Sequence, residues 1–244
     1  MPSTRPQPAA LLLAAADALR RAVARLRFRP PTAYVYNPLQ YAWAAHEQYL
    51  RLVAPRGARV LFLGMNPGPW GMAQTGVPFG HVPTVRDWLG IDAAIAKPPH
   101  EHPLRPIQGL ACPRSEVSGE RLWGLFRERF GTPAAFFREH FVVNYCPLVF
   151  MESSGRNRTP DKLPRDERQA LQVACDAHLE AVLAALRPAV AVGVGAFAEQ
   201  CLQRVAAPSA ARIVRIAHPS PASPVANRGW APLAAAELAA AGVW

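Results

Sequence analysis

The chain has 244 residues, half of them hydrophobic and 18% charged, which suits a single domain over residues 1–244 with a full hydrophobic core. No stretch approaches the ~20 uninterrupted apolar residues that a membrane helix needs, so we expect no membrane partner. The net charge of +10 favours a polyanionic partner, of which nucleic acid is the commonest, although a GC-rich genome would raise the arginine content equally well.

Hydrophobic periodicity predicts helices that alternate with short apolar strands. About residues 1–8 are expected to be flexible, and the first helix follows over about residues 9–27. Further helices are predicted at residues 84–89, 121–130, 133–139 and 165–186, at a segment that ends at residue 205, and at about residues 227–241. Strands are predicted at residues 59–63, 141–145, 189–194 and 212–217. This alternation predicts an α/β fold whose parallel sheet is covered by helices on both faces.

The segment at residues 64–80, GMNPGPWGMAQTGVPFG, follows the first predicted strand and is dense in glycine and proline. Such a segment is neither helix nor strand, and we expect a shaped loop at the carboxyl end of the sheet, where open α/β folds bind ligands. It carries a carboxamide, Asn66, and an aromatic ring, Phe79. Its glycines let backbone amides approach a bound group closely.

Two further polar side chains follow predicted strands. His218 comes directly after the fourth strand, and Asn144 lies at the end of the second. A carboxamide carries a donor and an acceptor and can match one edge of a nucleobase. For Asn144 alone, a structural carboxamide that ties the strand to a loop is the alternative. The loops that carry Asn66 and His218 are predicted to form the walls of one pocket.

The segment at residues 153–162 is polar and basic. This composition fits a segment that follows the phosphates of a nucleic acid. A solvated loop explains the same composition.

Three other patterns are weak as cofactor or metal sites. Residues 193–198 match a dinucleotide fingerprint, but they follow the third strand, and the position about 20 residues on is His218 instead of an acid, so we expect close helix–strand packing. His100 and His102 lie in a proline-rich segment without evident further ligands, which predicts a solvated loop. The four cysteines have no C-x-x-C spacing, which fits a reducing cytoplasm. We expect no metal and no cofactor.

Three ordered motifs resemble those of the single-strand-selective monofunctional uracil-DNA glycosylase family, part of the uracil-DNA glycosylase superfamily. Residues 64–80 are similar to the family's first motif almost throughout, and residues 144–148 resemble its middle motif. Residues 218–221, continuing to 227–230, resemble its last motif. The resemblance runs from about residue 11 to the end. It implies a three-layer α/β/α sandwich around a central four-stranded parallel sheet.

The resemblance also implies an activity. Relatives of this kind excise uracil and 5-substituted uracils, such as 5-hydroxymethyluracil, from single- and double-stranded DNA and leave an abasic site without cutting the strand. A base inside a duplex cannot be reached, so it must first be flipped out of the helix.

The same resemblance implies the roles of individual residues. Asn66 would hold the attacking water, and His218 would donate a hydrogen bond to the base O2 and stabilise the departing anion. Phe79 would stack on the flipped base. Asn144 would pair with N3–H and O4, a pattern that rejects cytosine. Met65 and Gly68 would supply the remaining pocket contacts.

The predicted pocket has no obvious carboxylate that could act as a general base. Because Asn66 cannot take a proton, the reaction would be dissociative, with water adding to a sugar that is already cationic. DNA contacts are expected from Ser154, Gly155, Arg156, Asn157, Arg158, Lys162, Ser220 and Arg228.

The chain departs from its animal relatives at two positions. Trp70 stands where they usually carry Phe, and Ala222 stands where they often place a long basic side chain that enters the DNA helix. The shortened wedge suggests that strand separation falls to the basic segment, with Arg156 and Arg158 as candidates. We therefore expect better activity on single-stranded or mismatched DNA than on matched duplex.

Two other functions remain open from the sequence. One is a related glycosylase that acts mainly on deaminated purines, xanthine or hypoxanthine. The other is a non-catalytic DNA-binding relative, which the retention of Asn66 and His218 argues against. We expect a monomer in the cytoplasm, at the nucleoid of a bacterium or in the nucleus of a eukaryote.

Overall fold

The computed structural model describes residues 6–206 and 211–244, which form seven strands and ten α-helices, numbered in chain order. The strands are β1 (Tyr34–Tyr36), β2 (Val60–Gly64), β3 (His140–Asn144), β4 (Val149–Met151), β5 (Asn157–Arg158), β6 (Val190–Val194) and β7 (Arg212–Ile216). The helices are α1 (Pro8–Ala24), α2 (Pro38–Tyr41), α3 (Trp43–Leu50), α4 (Met72–Thr75), α5 (Val117–Phe130), α6 (Pro133–Phe137), α7 (Arg165–Leu186), α8 (Ala196–Val205), α9 (Pro224–Asn227) and α10 (Trp230–Ala240).

Four parallel strands form the central sheet, in the order β3–β2–β6–β7. Every residue of β2, β3 and β6 is buried, which requires cover on both faces of the sheet. The edge strand β7 differs, because Arg212 and Arg215 are exposed. The α/β fold and its four-stranded parallel sheet are thus confirmed, with a fourth strand that is less apolar than expected.

Two groups of helices complete three layers. In one group α7 packs against α1 and α8, and in the other α5 packs against α6 and α10. The second group has an aromatic core in which the rings of Phe126 and Phe136 stack with centroids 4.6 Å apart, and Trp123 meets Phe126 edge-on at 5.7 Å. These layers hold the strand ends, and hence the loops that follow them, in fixed positions.

The long helices lie close to their predicted bounds. The prediction for α7 is confirmed at both ends, and its inward residues are buried as expected: Leu171, Cys175, Leu179, Val182 and Leu186. The last helix, expected over about residues 227–241, begins at Trp230, because Gly229, with a φ of +126°, interrupts the helical backbone and separates α10 from the short helix α9. Residues 1–5, which belong to the segment expected to be flexible, lie outside the described residues, and α1 begins at Pro8.

A small antiparallel sheet, in the order β1–β4–β5, was not predicted. Its strands have two or three residues each, too few to show a period of two in the sequence. The basic segment at residues 153–162 therefore contains the turn of a hairpin between β4 and β5, and it does not form a free loop.

Gly193, near the end of β6, serves helix packing, as predicted. A Cβ at Gly193 would lie 2.5 Å from the backbone nitrogen of Glu199 in α8, so only glycine permits this approach. The dinucleotide-like pattern is thus explained by close packing of α8 on the sheet.

The proline-rich segment with two histidines is not simply a solvated loop, and that expectation is wrong for His102. Its side chain is fully buried, and its Nε2 lies 3.2 Å from the carbonyl oxygen of Glu152 and 3.1 Å from that of Ser153. His102 therefore anchors the hairpin. Within the described ranges, no three His, Cys, Asp or Glu side chains cluster as metal ligands would.

The four cysteines, Cys112, Cys146, Cys175 and Cys201, are all free and buried. None of the described helices is long and apolar enough to cross a membrane.

Candidate active site

A cleft lies at the carboxyl ends of the central strands. Gly64 ends β2 and pairs in register with Asn144, which ends β3, and His218 follows β7 by two residues. The loops after these strands enclose an empty volume of about 760 Å³, part of it open to solvent. Its lining residues are Met65, Asn66, Pro67, Gly68, Gly71, Met72, Phe79, Glu116, Ser118, Asn144, Asn157, Thr159, His218, Ser220 and Pro221.

The cleft contains every residue predicted to act on the base. These are Met65, Asn66, Gly68, Phe79, Asn144 and His218. They come from three separate parts of the chain, and the parallel sheet brings them together because all of its carboxyl ends lie at one edge.

Gly64 makes room for two of these side chains. A Cβ at this position would lie 2.4 Å from the Phe79 ring and 2.5 Å from Asn144 Oδ1. Neither distance is tolerable for a carbon atom, so any side chain at position 64 would displace both groups. The glycine at the end of β2 thus allows a ring and a carboxamide to meet beside the strand.

Phe79 has an unusual backbone conformation that its surroundings maintain. Its φ is +54°, in the left-handed region that is costly for a residue with a side chain. Trp123 Nε1 donates a hydrogen bond of 3.1 Å to the carbonyl oxygen of Pro78. A Cβ at Gly119 would lie 1.8 Å from the Phe79 carbonyl oxygen, so α5 packs directly on this backbone. The backbone that carries the ring is therefore held in place by α5.

The carboxamide of Asn66 is oriented by two backbone carbonyl groups. Its Nδ2 donates hydrogen bonds to Pro67 O at 3.2 Å and to Leu148 O at 3.1 Å. In the described part of the chain no donor bonds to Oδ1, so this oxygen remains to accept a hydrogen bond in the cleft. An amide oxygen can orient a water molecule in this way without taking its proton.

His218 is held as a neutral ring with a defined tautomer. Its Nδ1 accepts a hydrogen bond of 3.1 Å from the backbone nitrogen of Ser220, which leaves the proton on Nε2. Burial lowers the pKa of His218 below its usual 6.5, so the ring is neutral at pH 7. A Cβ at Gly195 would lie 3.1 Å from His218 Cβ, which shows that this glycine makes room for the imidazole. His218 therefore offers Nε2–H as a donor.

Asn144 is buried and makes only a weak side-chain contact. Its Nδ2 lies 3.5 Å from Met72 Sδ, and thioether sulfur is a weak acceptor. A carboxamide that served only to tie the strand to a loop would need a stronger partner. The polar atoms of Asn144 can exchange this contact for a ligand at little cost.

The expectation that the pocket has no obvious carboxylate is wrong, because Glu116 lies in it. It lines the cleft, and its side chain lies where a Cβ on Gly71 would meet it at 2.8 Å. Its two oxygens accept hydrogen bonds from the backbone nitrogens of Ser118 and Gly119, which caps the start of α5. Burial, opposed by these hydrogen bonds, raises the pKa of Glu116 above its usual 4.5. The carboxyl group is engaged in capping.

Several cleft residues were not singled out in the sequence: Pro67, Met72, Ser118, Thr159 and Pro221. Pro67 and Met72 lie in the predicted first loop, so their position there was the signal, and Gly71 is one of the loop glycines expected to let backbone amides approach a ligand. Thr159 had no signal of its own, because it reaches the cleft only through the β4–β5 hairpin.

The residues predicted to contact DNA divide into two sets. Asn157 and Ser220 line the cleft itself. Ser154, Arg156 and Arg228 are exposed, and the guanidinium groups of the two arginines form no ion pair within residues 6–206 and 211–244. Ser154 and Arg156 lie in the turn of the hairpin, and Arg228 lies between α9 and α10.

The remaining three predicted positions are engaged by the protein. Arg158 forms an ion pair of 2.9 Å with Glu152, and Lys162 pairs with Asp161 at 3.1 Å. Gly155 is buried with φ +80°, a conformation that favours glycine, and it allows the hairpin to turn over Arg105. Of the two arginines considered for strand separation, Arg156 is the more accessible.

Comparison with known proteins shows the family to which the chain belongs. The sequence model of the uracil DNA glycosylase superfamily matches residues 50–236. A single-strand selective monofunctional uracil-DNA glycosylase of Rattus norvegicus is 50% identical over 214 residues, 87% of this chain and 77% of the relative. The protein of that name from Bos taurus is 49% identical over 216 residues, 88% of this chain and 79% of the relative.

A solved structure shares the fold at low sequence identity. The crystal structure of wild-type SMUG2 from Pedobacter heparinus superposes with a TM-score of 0.63 and 19% identity, covering 94% of this chain and 97% of that one. From the superfamily match and the identities near one half over most of its length, the chain belongs to the single-strand selective monofunctional uracil-DNA glycosylases of the uracil DNA glycosylase superfamily.

Proposed function

We propose that this enzyme hydrolyses the N-glycosidic bond of uracil and of 5-substituted uracils in single- and double-stranded DNA and leaves an abasic site. The observation that carries the proposal is the shared cleft of Asn66, Phe79, Asn144 and His218. A flipped pyrimidine stacks on Phe79 and pairs with the Asn144 carboxamide, which offers Nδ2–H to O4 and Oδ1 to N3–H. Cytosine presents the reverse pattern and leaves buried polar groups unpaired.

The departing base carries the negative charge of the reaction. Breakage of the glycosidic bond leaves an oxocarbenium sugar and a uracil anion. The neutral His218 donates Nε2–H to O2 of that anion, and its donor is already oriented by the Ser220 hydrogen bond. A preorganised donor that faces developing charge is worth roughly 10²–10³ in rate.

The water is held on the sugar side by Asn66. Its free Oδ1 accepts one hydrogen bond from the water, while the two carbonyl contacts keep the amide from rotating. No strong base is required, because the sugar is cationic before the water adds. The capping role of Glu116 agrees with this dissociative reaction.

Substituents at the 5-position of uracil need space beside the base. A Cβ added to Gly68 would have no neighbouring atom within 4 Å, so the cleft wall is open there. This open wall supports the proposed tolerance of 5-hydroxymethyluracil. The enzyme acts as a monomer on DNA, and the net charge of +10 assists non-specific association with the strand.

An oligonucleotide with one uracil tests the proposal. We expect alkali-dependent strand scission at the uracil after incubation with the enzyme, and an intact strand without alkali. His218→Ala should lose roughly 10²–10³ in single-turnover rate, because the anion loses its donor. Wild-type turnover by His218→Ala would remove the imidazole from the mechanism.

Glu116→Gln serves as the matched control within the same cleft. Its excision rate should stay within about tenfold of wild type, since the carboxylate does not activate water in this mechanism. A loss as large as that of His218→Ala would assign the water to Glu116. Oligonucleotides with xanthine or hypoxanthine in the same assay test the purine alternative.

A further inference from the structure

Two arginine side chains lie against one tryptophan at the edge of the cleft. The guanidinium carbon of Arg105 is 5.3 Å from the centre of the Trp70 ring, and that of Arg114 is 5.5 Å away. We call these three residues the tryptophan–arginine cluster. Trp70 lies between Gly68 and Gly71, which both line the cleft, so the cluster borders the proposed base site.

Buried hydrogen bonds determine where Arg105 lies. Gln74 is fully buried, and its Nε2 donates to Pro69 O at 3.0 Å and to Pro106 O at 2.9 Å. These carbonyl groups belong to the neighbours of Trp70 and Arg105. Tyr36 Oη also donates to the backbone oxygen of Arg105 at 2.9 Å. These hydrogen bonds fix the backbone next to both partners of the cation–π contact, Trp70 and Arg105.

The two guanidinium groups lack an acidic partner. Neither Arg105 nor Arg114 forms an ion pair with a carboxylate in the described part of the chain, whereas Arg158 nearby pairs with Glu152. Two like charges on one ring repel each other, and the indole face offsets only part of this repulsion. A cluster that served stability alone would be more favourable with one arginine and an acid.

Arg105 also has an unused donor. Its Nε is buried and has no hydrogen-bond partner, although Nη1 donates to Leu104 O at 2.9 Å. A buried donor without a partner is destabilising unless a ligand satisfies it. The guanidinium also lies 3.4 Å from the position of a Cβ on Gly155, next to the β4–β5 hairpin and its exposed Arg156.

We propose that the tryptophan–arginine cluster binds a phosphodiester of the DNA strand beside the flipped nucleotide. The proposal rests on the proposed function, because it takes the cleft as the site of the flipped base. The planar forks of Arg105 and Arg114 match phosphate oxygens, and the anion neutralises the two charges that the indole holds together. The strand then continues over the hairpin towards Arg156.

Binding of a uracil-free single-stranded oligonucleotide, measured by fluorescence anisotropy over a range of salt concentrations, tests the proposal. Arg114→Ala should weaken binding roughly fivefold and lower the slope of log K against log salt by about 0.7, the value for one lost phosphate contact on a single strand. Arg56→Ala is the matched control, because Arg56 is also exposed but precedes β2 at the opposite end of the sheet. It should leave the slope unchanged.

Trp70 variants test whether the indole ring positions the arginines for DNA binding or whether the charge of the arginines alone is enough. Trp70→Phe keeps an aromatic face and should bind DNA nearly as well as wild type, whereas Trp70→Leu should weaken binding several-fold. The loss in Trp70→Leu/Arg114→Ala should be smaller than the product of the two single losses, because the arginine depends on the ring.

The results separate failure of this inference from failure of the proposed function. If Arg114→Ala has the salt slope of Arg56→Ala while wild type excises uracil, the phosphate site is wrong and the glycosylase stands. If wild type excises no uracil, the proposed function fails, and the binding data on uracil-free DNA still report whether the cluster contacts phosphate. Independent effects of Trp70→Leu and Arg114→Ala would overturn the ordering role of the indole.

Discussion

The two sides of the cleft mouth differ in how the protein holds them. Residues 71–80, after β2, are all buried, whereas between residues 220 and 229, after β7, only Ala226 is buried. The first side belongs to the hydrophobic core and carries Phe79, which is proposed to stack on the base. The second side lies on the surface, where the DNA is proposed to approach. The proposed recognition of the base is therefore coupled to folding stability, and the exposed side is free to change.

The largest effect on activity is expected when a methyl group is added at Gly64, on the buried side of the cleft mouth. Gly64→Ala should lower kcat/KM for uracil about 100-fold, because the Phe79 ring and the Asn144 amide must move. It should also destabilise the fold by about 1–3 kcal/mol through overpacking. Single-turnover excision and urea unfolding measure both effects.

Gly68→Ala is the control for this prediction, because a Cβ at Gly68 meets no atom within 4 Å. It should retain wild-type stability and lose activity chiefly on uracils with a large 5-substituent. An equal loss of stability in the two variants would contradict the difference between the two positions.

A smaller effect, on folding stability, is expected when the pH is lowered, and it again arises on the buried side of the cleft mouth. His46 Nδ1 lies 2.7 Å from Gly76 O and supports the loop, and burial lowers the pKa of His46 to about 4. The unfolded chain has a histidine pKa near 6.5, so below that pH it binds more protons than the folded chain does, and stability falls as pH falls. His46 alone should cost about 1.6 kcal/mol of folding stability between pH 6.5 and pH 5.

Urea unfolding at several pH values measures this slope in wild type and in His46→Gln. The variant should show a shallower dependence, although His140 and His178, whose pKa values burial also lowers to about 4, keep some of it. Parallel stability curves for the two proteins would show that His46 does not titrate in this way.

The smallest effect is expected on the exposed side. Ala222→Arg adds a long cation where the surface is open, and it should raise excision from matched duplex about threefold, with little change on single strands or in stability. Ala222→Gln is the control of similar length without charge. If wild type acts equally on single-stranded, mismatched and matched DNA, the shortened wedge has no bearing on strand preference.

The same division explains how much of the molecule could be predicted from its sequence. Long apolar or amphipathic elements such as α7 and the four central strands carry their own periodicity, so their positions could be predicted. The residues at the strand ends could be predicted because they follow those elements directly. Asn66, Asn144 and His218 share one cleft for that reason.

Features that depend on distant contacts could not be predicted. Glu116 enters the cleft only because it caps α5, and the short strands β1, β4 and β5 exist only as a set. His102 became a buried anchor because the hairpin carbonyl groups surround it. His102 and Glu152 are remote in sequence, as are β1 and β4, so no local pattern marks these pairs. The cap that Glu116 forms is local, but the approach of its side chain to Gly71 joins two distant segments.

The burial of all four cysteines has a practical consequence. Since Cys112, Cys146, Cys175 and Cys201 have little access to reagents, a cysteine introduced at the exposed position Ala222 would be the thiol that a maleimide dye labels first. A fluorophore at that point would report the approach of a strand to the mouth of the cleft in real time. Wild-type cysteines could remain in place, so the labelled enzyme would keep its native interior.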